Sequence, residues 1–334
     1  MIEFIVIVLG VALFLYAFLA GADFGAGIIE ILPTKVHSKE KMKFIGKAMG
    51  PVWEANHIWL ILALVIVFNA FPDIFWFFAE WFHYPLGALA IGIIFRGASF
   101  SFLHYDPIID KSQTYYHWIF GLSSLWCALW LGIMTGSLML GNFLLTDTGI
   151  YERYFGHWLN PFALSMGVFV TLLMMFNASL FLSAESEEKK VEWQVLTRKI
   201  LSFLIVSGLL VHVSFYLTSP ERWKVFFLNP FSIGLILLSF LLLYPQFYTI
   251  GKQRPHSSRI IAGAQLLCIM GAGFIPLYPN ILVFRDLTSL SVYTAAAERP
   301  VLRLLIIALI FGLFMILPPY IYMMKIFKTK KMRP

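Results

Sequence analysis

Long apolar runs alternate along this chain with short polar segments. Nine runs stand out, near residues 2–22, 52–71, 80–103, 117–145, 159–183, 200–218, 225–248, 260–280 and 302–326. A hydrocarbon core about 30 Å thick needs about 20 apolar residues in a helix. The runs match that length and lack the ten-residue alternation of an outer-membrane barrel strand. The pattern therefore predicts an all-α polytopic membrane protein of about nine transmembrane helices, with residues 1–334 forming a single integral membrane domain. The first run is longer and more apolar than a signal peptide and is expected to remain in the mature protein. Leu159-Asn160-Pro161-Phe162 recurs as Leu228-Asn229-Pro230-Phe231. Asn at the N-cap with Pro in the first turn suits a helix start. The recurrence reads either as two independent good starts or as a duplicated bundle.

Lys and Arg set the orientation. Segments after the first, third, fifth and seventh runs, together with the C-terminal tail, hold 18 of 25 basic residues. By the positive-inside rule the N-terminus faces outside and the C-terminus faces the cytoplasm. Composition agrees. Charged residues make up 13% and hydrophobic residues 60% of the chain, too few charges to cover a soluble surface. A soluble enzyme, a nucleic-acid-binding domain and a disordered chain are excluded, and membrane lipid is the main solvent. The net charge of +7 follows from the basic loops and does not indicate a nucleic-acid partner. Cys127 and Cys268 lie in apolar runs, which argues against a disulfide framework.

Ionisable groups within spans carry the chemistry, because each costs about 2.5–3.5 kcal/mol near a helix centre. Asp23 sits in Gly21-Ala-Asp-Phe-Gly-Ala-Gly27, at the expected cytoplasmic end of the first span; such a residue can simply be solvated there. Glu54 and His57 lie on one face of the second span with Gly50 and Ile61, and Asn56 is beside them. A carboxyl and an imidazole three residues apart suit a proton relay, or a hydrogen-bonded cluster that locks helices. Arg96, deep in the third span, must pair or snorkel; pairing between the second and third spans is expected. Glu54-x-x-His57 and Glu80-x-x-His83 resemble halves of a di-iron site. They start on opposite sides of the membrane, roughly 25 Å apart, and cannot share a metal. His212 reads as a satisfied interior histidine, and His83, His117 and His157 as interfacial. No pair of heme ligands stands out, and the chain is expected to bind no metal.

Gly21-Ala-Asp-Phe-Gly25, Gly50-Pro-Val-Trp-Glu-Ala-Asn-His-Ile-Trp-Leu-Ile61, the Arg96 region and Leu159-Asn-Pro-Phe162 resemble subunit II of cytochrome bd-type quinol oxidases. The motifs run in the family's order, and the resemblance covers essentially the whole chain. It implies a two-bundle fold, two four-helix bundles plus one extra helix. It also implies a respiratory terminal oxidase that oxidises quinol and reduces dioxygen to water. The b-type and d-type hemes are then expected in the partner, a heme-bearing subunit I, which this subunit stabilises, and quinol is a substrate of the complex. A small single-span accessory subunit can accompany such a pair. In some members acidic residues of subunit II line a cytoplasmic proton route. Asp23 and Glu54 occupy the matching positions, and with His57 they are the proton-route candidates. Asn56 and Arg96 are the structural polar candidates, and no catalytic residue is expected in this chain. The alternative is a proton-coupled secondary transporter using Asp23, Glu54, His57 and Arg96.

Overall fold

In the computed structural model, residues 1–33, 38–50, 53–105, 112–143, 149–186, 190–285 and 288–330 are described. The side chains of residues 38–39, 53–54, 104–105, 190, 320–321 and 323–330 lie outside that description. The chain is all-α and spans the membrane repeatedly. Among the described residues, eight helices are long and apolar enough to cross a membrane. A bent pair, Ala55–Ala70 and Pro72–Trp81, raises the number to nine if it counts as one span.

The helices run in order as α1 (Ile2–Leu15), α2 (Gly21–Ile31), α3 (Ser38–Met49), α4 (Trp53–Ala70), α5 (Pro72–Trp81), α6 (His83–Tyr105) and α7 (Ser112–Leu140). They continue as α8 (Pro161–Glu185), α9 (Lys190–Thr218), α10 (Pro220–Phe227), α11 (Pro230–Leu241), α12 (Leu243–Gly251), α13 (Pro255–Phe274) and α14 (Arg299–Lys330). A widened π-helical turn over Tyr16–Ala20 joins α1 to α2, so the first span is continuous from Ile2 to Ile31. It passes the expected end at residue 22, because the glycines of the Gly-rich segment are helical and not a turn. At 1.5 Å per residue it is about 45 Å long, more than the hydrocarbon needs.

Several boundaries follow directly from local chemistry. Pro72 opens α5 and cannot supply the N–H that would continue α4, so the two meet at 115°. Asn160 Oδ1 accepts from Ala163 N at 2.9 Å at the start of α8. Asn229 Oδ1 accepts from Phe231 N at 3.0 Å and Ser232 N at 3.2 Å at the start of α11. Both Asn-Pro segments are thus capped helix starts.

α8 is the central helix, packing on α2, α7, α9 and α13. Its contact with α2 is at backbone range: a Cβ on Gly25 would stand 2.1 Å from the Met174 carbonyl oxygen. The main apolar core gathers Tyr16, Phe24, Trp59, Met174, Phe176 and Trp193 around this crossing. A second core, with Ile5, Phe71, Phe77, Phe82, Phe143 and Val292, closes the far end of α1. A short antiparallel hairpin, β1 (Leu282–Val283) with β2 (Ser289–Leu290), pairs Leu282 with Leu290 over that end. The amphipathic α3, expected only as a basic loop, buries Ile45 and Met49 against the main core.

Candidate functional site

The first span supplies the centre of the site. Asp23 is 0% exposed, so it lies inside the bundle and not at a solvated helix end. Arg96, 1% exposed, reaches it from α6. Arg96 Nη2 lies 2.7 Å from Asp23 Oδ1, and Arg96 Nε donates to Ser124 Oγ of α7 at 3.1 Å. The guanidinium also stands over the rings of Phe24 and Phe120, at 4.8 and 5.1 Å. Arg96 is buried and does not snorkel, and it has an ion-pair partner on the first span, Asp23. α2 and α6 both pack on α7, which brings the carboxylate, the guanidinium and the Ser124 hydroxyl together. The side chain of Glu54 lies outside the described residues.

His57 completes the described centre. Its Nε2 is 4.0 Å from Asp23 Oδ2, and its ring packs against Tyr16 and Phe24 at 6.1 and 6.0 Å between centroids. Asn56 Nδ2 donates to the Leu19 carbonyl at 3.4 Å. That carbonyl belongs to the π-helical turn, whose widened geometry releases backbone acceptors from the helical ladder. Three of the sequence candidates, Asp23, His57 and Arg96, therefore meet, with Asn56 one turn away. The ion pair is close but not aligned: among the described residues neither Asp23 carboxylate oxygen receives a hydrogen bond of good geometry. A buried carboxylate beside an imidazole can accept a proton from it.

A second buried polar cluster was not legible in the sequence. Glu30, 3% exposed, lies two turns beyond Asp23 on α2, and His117, 8% exposed, is on α7. His117 Nδ1 is 2.6 Å from Glu30 Oε1. His117 is thus buried inside the protein. Lys41 of α3, 2% exposed, donates from Nζ to the Leu32 carbonyl just past the end of α2. Burial pushes the Lys41 ammonium below its usual range, and the Glu30 carboxylate pulls it back up. The sequence signal was the spacing of Asp23, Gly27 and Glu30, which share one helical face. The Gly27 position faces Ser124: a Cβ there would stand 2.3 Å from Ser124 Oγ.

The remaining histidines are placed elsewhere. His157 is fully buried among Trp81, Phe82 and Phe143, at 5.4–5.7 Å between centroids. His212 packs on Trp223 and Phe227. Glu80 pairs with Arg153 at 3.3 Å beside His83, lining an open cleft of about 260 Å³. Aromatic rings thus close on both His57 and His157.

Comparison with known proteins agrees with this architecture. A chain of the bd oxidase from Geobacillus thermodenitrificans superposes with a TM-score of 0.79 over 98% of each chain, at 20% identity. The cytochrome bd ubiquinol oxidase subunit 2 of Bacillus subtilis is 24% identical over 270 residues, 80% of this chain and 78% of that one. A probable cytochrome oxidase subunit 2 of Haemophilus influenzae is 26% identical over 183 residues, 53% of this chain and 48% of that one. The family model for cytochrome bd terminal oxidase subunit II matches residues 1–327, and the chain belongs to that family.

Proposed function

We propose that this chain is the non-heme subunit of a bd-type terminal oxidase, in which quinol oxidation is coupled to reduction of dioxygen to water. It stabilises a heme-bearing subunit I and admits protons from the cytoplasm through Asp23, His57 and Glu54. The Lys- and Arg-rich loops and the C-terminus face the cytoplasm on this reading. A small single-span accessory subunit and bound lipid complete the assembly. Family membership displaces the transporter alternative.

The observation that carries the proton route is the fully buried Asp23, 2.7 Å from the Arg96 guanidinium and 4.0 Å from the His57 ring. Burying a lone carboxylate is costly, and the guanidinium offsets much of that cost. Arg96 is itself held by Ser124 and two aromatic faces, so it positions the carboxylate. His57, 4.0 Å from the other oxygen, needs only a small ring movement to hand a proton to Asp23 Oδ2. The hemes in subunit I supply electron transfer and oxygen reduction.

The test is made on the complex purified from native membranes in mild detergent. It is expected to show b- and d-type heme bands that leave with the partner when the two subunits are separated. Asp23→Asn keeps the shape and removes the titrating group; turnover is expected to fall at least about tenfold with heme content unchanged. A colourless protein that purifies alone would sink the subunit assignment. Normal turnover in fully assembled Asp23→Asn would sink the proton route.

A further inference from the structure

We propose that Glu30 and His117 form a proton-holding pair that takes up protons at the Lys41 end of α2 and passes them to the Asp23–Arg96 site. The inference rests on the proton route above and extends it outward by two helical turns. Its basis is placement. Asp23, Gly27 and Glu30 lie on one face of α2, and His117, Phe120 and Ser124 lie on the facing side of α7. Glu30 meets His117 at 2.6 Å, and Ser124 meets Arg96 at 3.1 Å. The absence of a side chain at Gly27 lets Ser124 press against α2 between the two carboxylates. Seven residues of helix separate Asp23 from Glu30 by about 10 Å.

The pair is a costly way merely to tie two helices together. Elsewhere this chain joins helices with neutral groups, as where Ser258 Oγ donates to Thr249 Oγ1 at 2.8 Å. A carboxylate and an imidazole in contact can instead hold one proton between them and exchange it. In each cycle the pair gains one proton and releases one toward Asp23; no other bond changes and no electron moves. Among the described residues, the charged groups around the pair are Lys41 from α3 and, deeper in the bundle, Asp23 of α2 and Arg96 of α6. Glu30 and His117 are positioning and relay groups here, not catalytic residues.

Quinol-driven oxygen consumption of the purified complex, measured against pH and with acetate added as a mobile proton carrier, tests the pair. Glu30→Gln and His117→Asn are each expected to lower turnover about tenfold, to steepen its pH dependence and to be partly rescued by acetate. Asp23→Asn serves as reference. If both pair variants keep wild-type turnover and pH profile while Asp23→Asn is slow, the pair is structural and the inference fails although the route survives. If Asp23→Asn is also normal, the route itself fails. Should Glu30→Gln lose its hemes, Glu30→Asp keeps the charge and withdraws it by one methylene. Slow turnover at full heme content in that variant supports the relay, and wild-type turnover overturns it.

Discussion

The two halves of the chain bury polar groups of different kinds. Before residue 106 the bundle encloses Asp23, Glu30, Lys41 and Arg96, and these are the charged side chains fully buried among the described residues. From residue 161 onward the buried polar side chains are neutral, among them Asn177, Thr197, Ser232, Gln246, Thr249, Ser258 and Gln265. Hydroxyls and amides cost little in a membrane bundle and join helices by ordinary hydrogen bonds. Even Gln246, whose amide atoms lack a partner among the described residues, carries no net charge. Charges cost several times more and tend to persist where they have work to do. Among the described residues, the contrast confines the buried Asp, Glu, Lys and Arg side chains to the part of the chain before residue 106.

The comparison can be broken most severely at Arg96. Arg96→Met leaves Asp23 buried beside an apolar neighbour and is expected to cost about 3–5 kcal/mol. Thermal loss of the heme bands from the purified complex reports this, and adding Asp23→Leu to the same chain should recover most of it. Unchanged thermal stability in Arg96→Met would mean that the ion pair carries little weight. Next in size is the crossing that supports the first bundle. Gly25→Ala forces apart the α2 and α8 backbones, with an expected loss of about 1–3 kcal/mol in the same assay. In the second half, Ser258→Ala removes one neutral tether and is expected to cost only about 0.6 kcal/mol. A loss as large as that of Arg96→Met would erase the distinction between halves.

The smallest effect lies outside the membrane. Tyr293 donates to Glu3 Oε1 at 3.2 Å and meets Tyr278 at 2.6 Å between hydroxyls. The hydrogen bond shared with Tyr278, followed by desolvation and the hydrogen bond to Glu3, pushes Tyr293 from an ordinary value of 10.0 up to about 12. A raised pKa means that the folded chain retains a proton which the unfolded chain releases. The contribution is complete below pH 10 and is lost as pH rises through about 12. Alkaline titration of tyrosinate absorbance should include a late-titrating component that Tyr278→Phe brings earlier. Identical titrations would disconnect these residues.

Hydropathy alone determined the all-α membrane architecture, because lipid leaves backbone groups few ways to be satisfied and each span must be long and apolar. The Asn160-Pro161 and Asn229-Pro230 helix starts were equally local, since capping involves only neighbouring residues. Asp23, His57 and Arg96 were singled out because a charge in an apolar run is conspicuous on its own. Their pairing was not legible. Arg96 was expected to join the second span, and only the packing of α2 and α6 on α7 put Asp23 within 2.7 Å of it. Glu30 and Lys41 lie beyond the predicted end of the first span at residue 22, and only the continuation of α2 to Ile31 and the folding of α3 against the core bury them. Sequence fixes which groups are expensive to bury; the choice of which expensive groups meet belongs to helix length, glycine contacts and crossing geometry, which are settled only when the whole bundle packs.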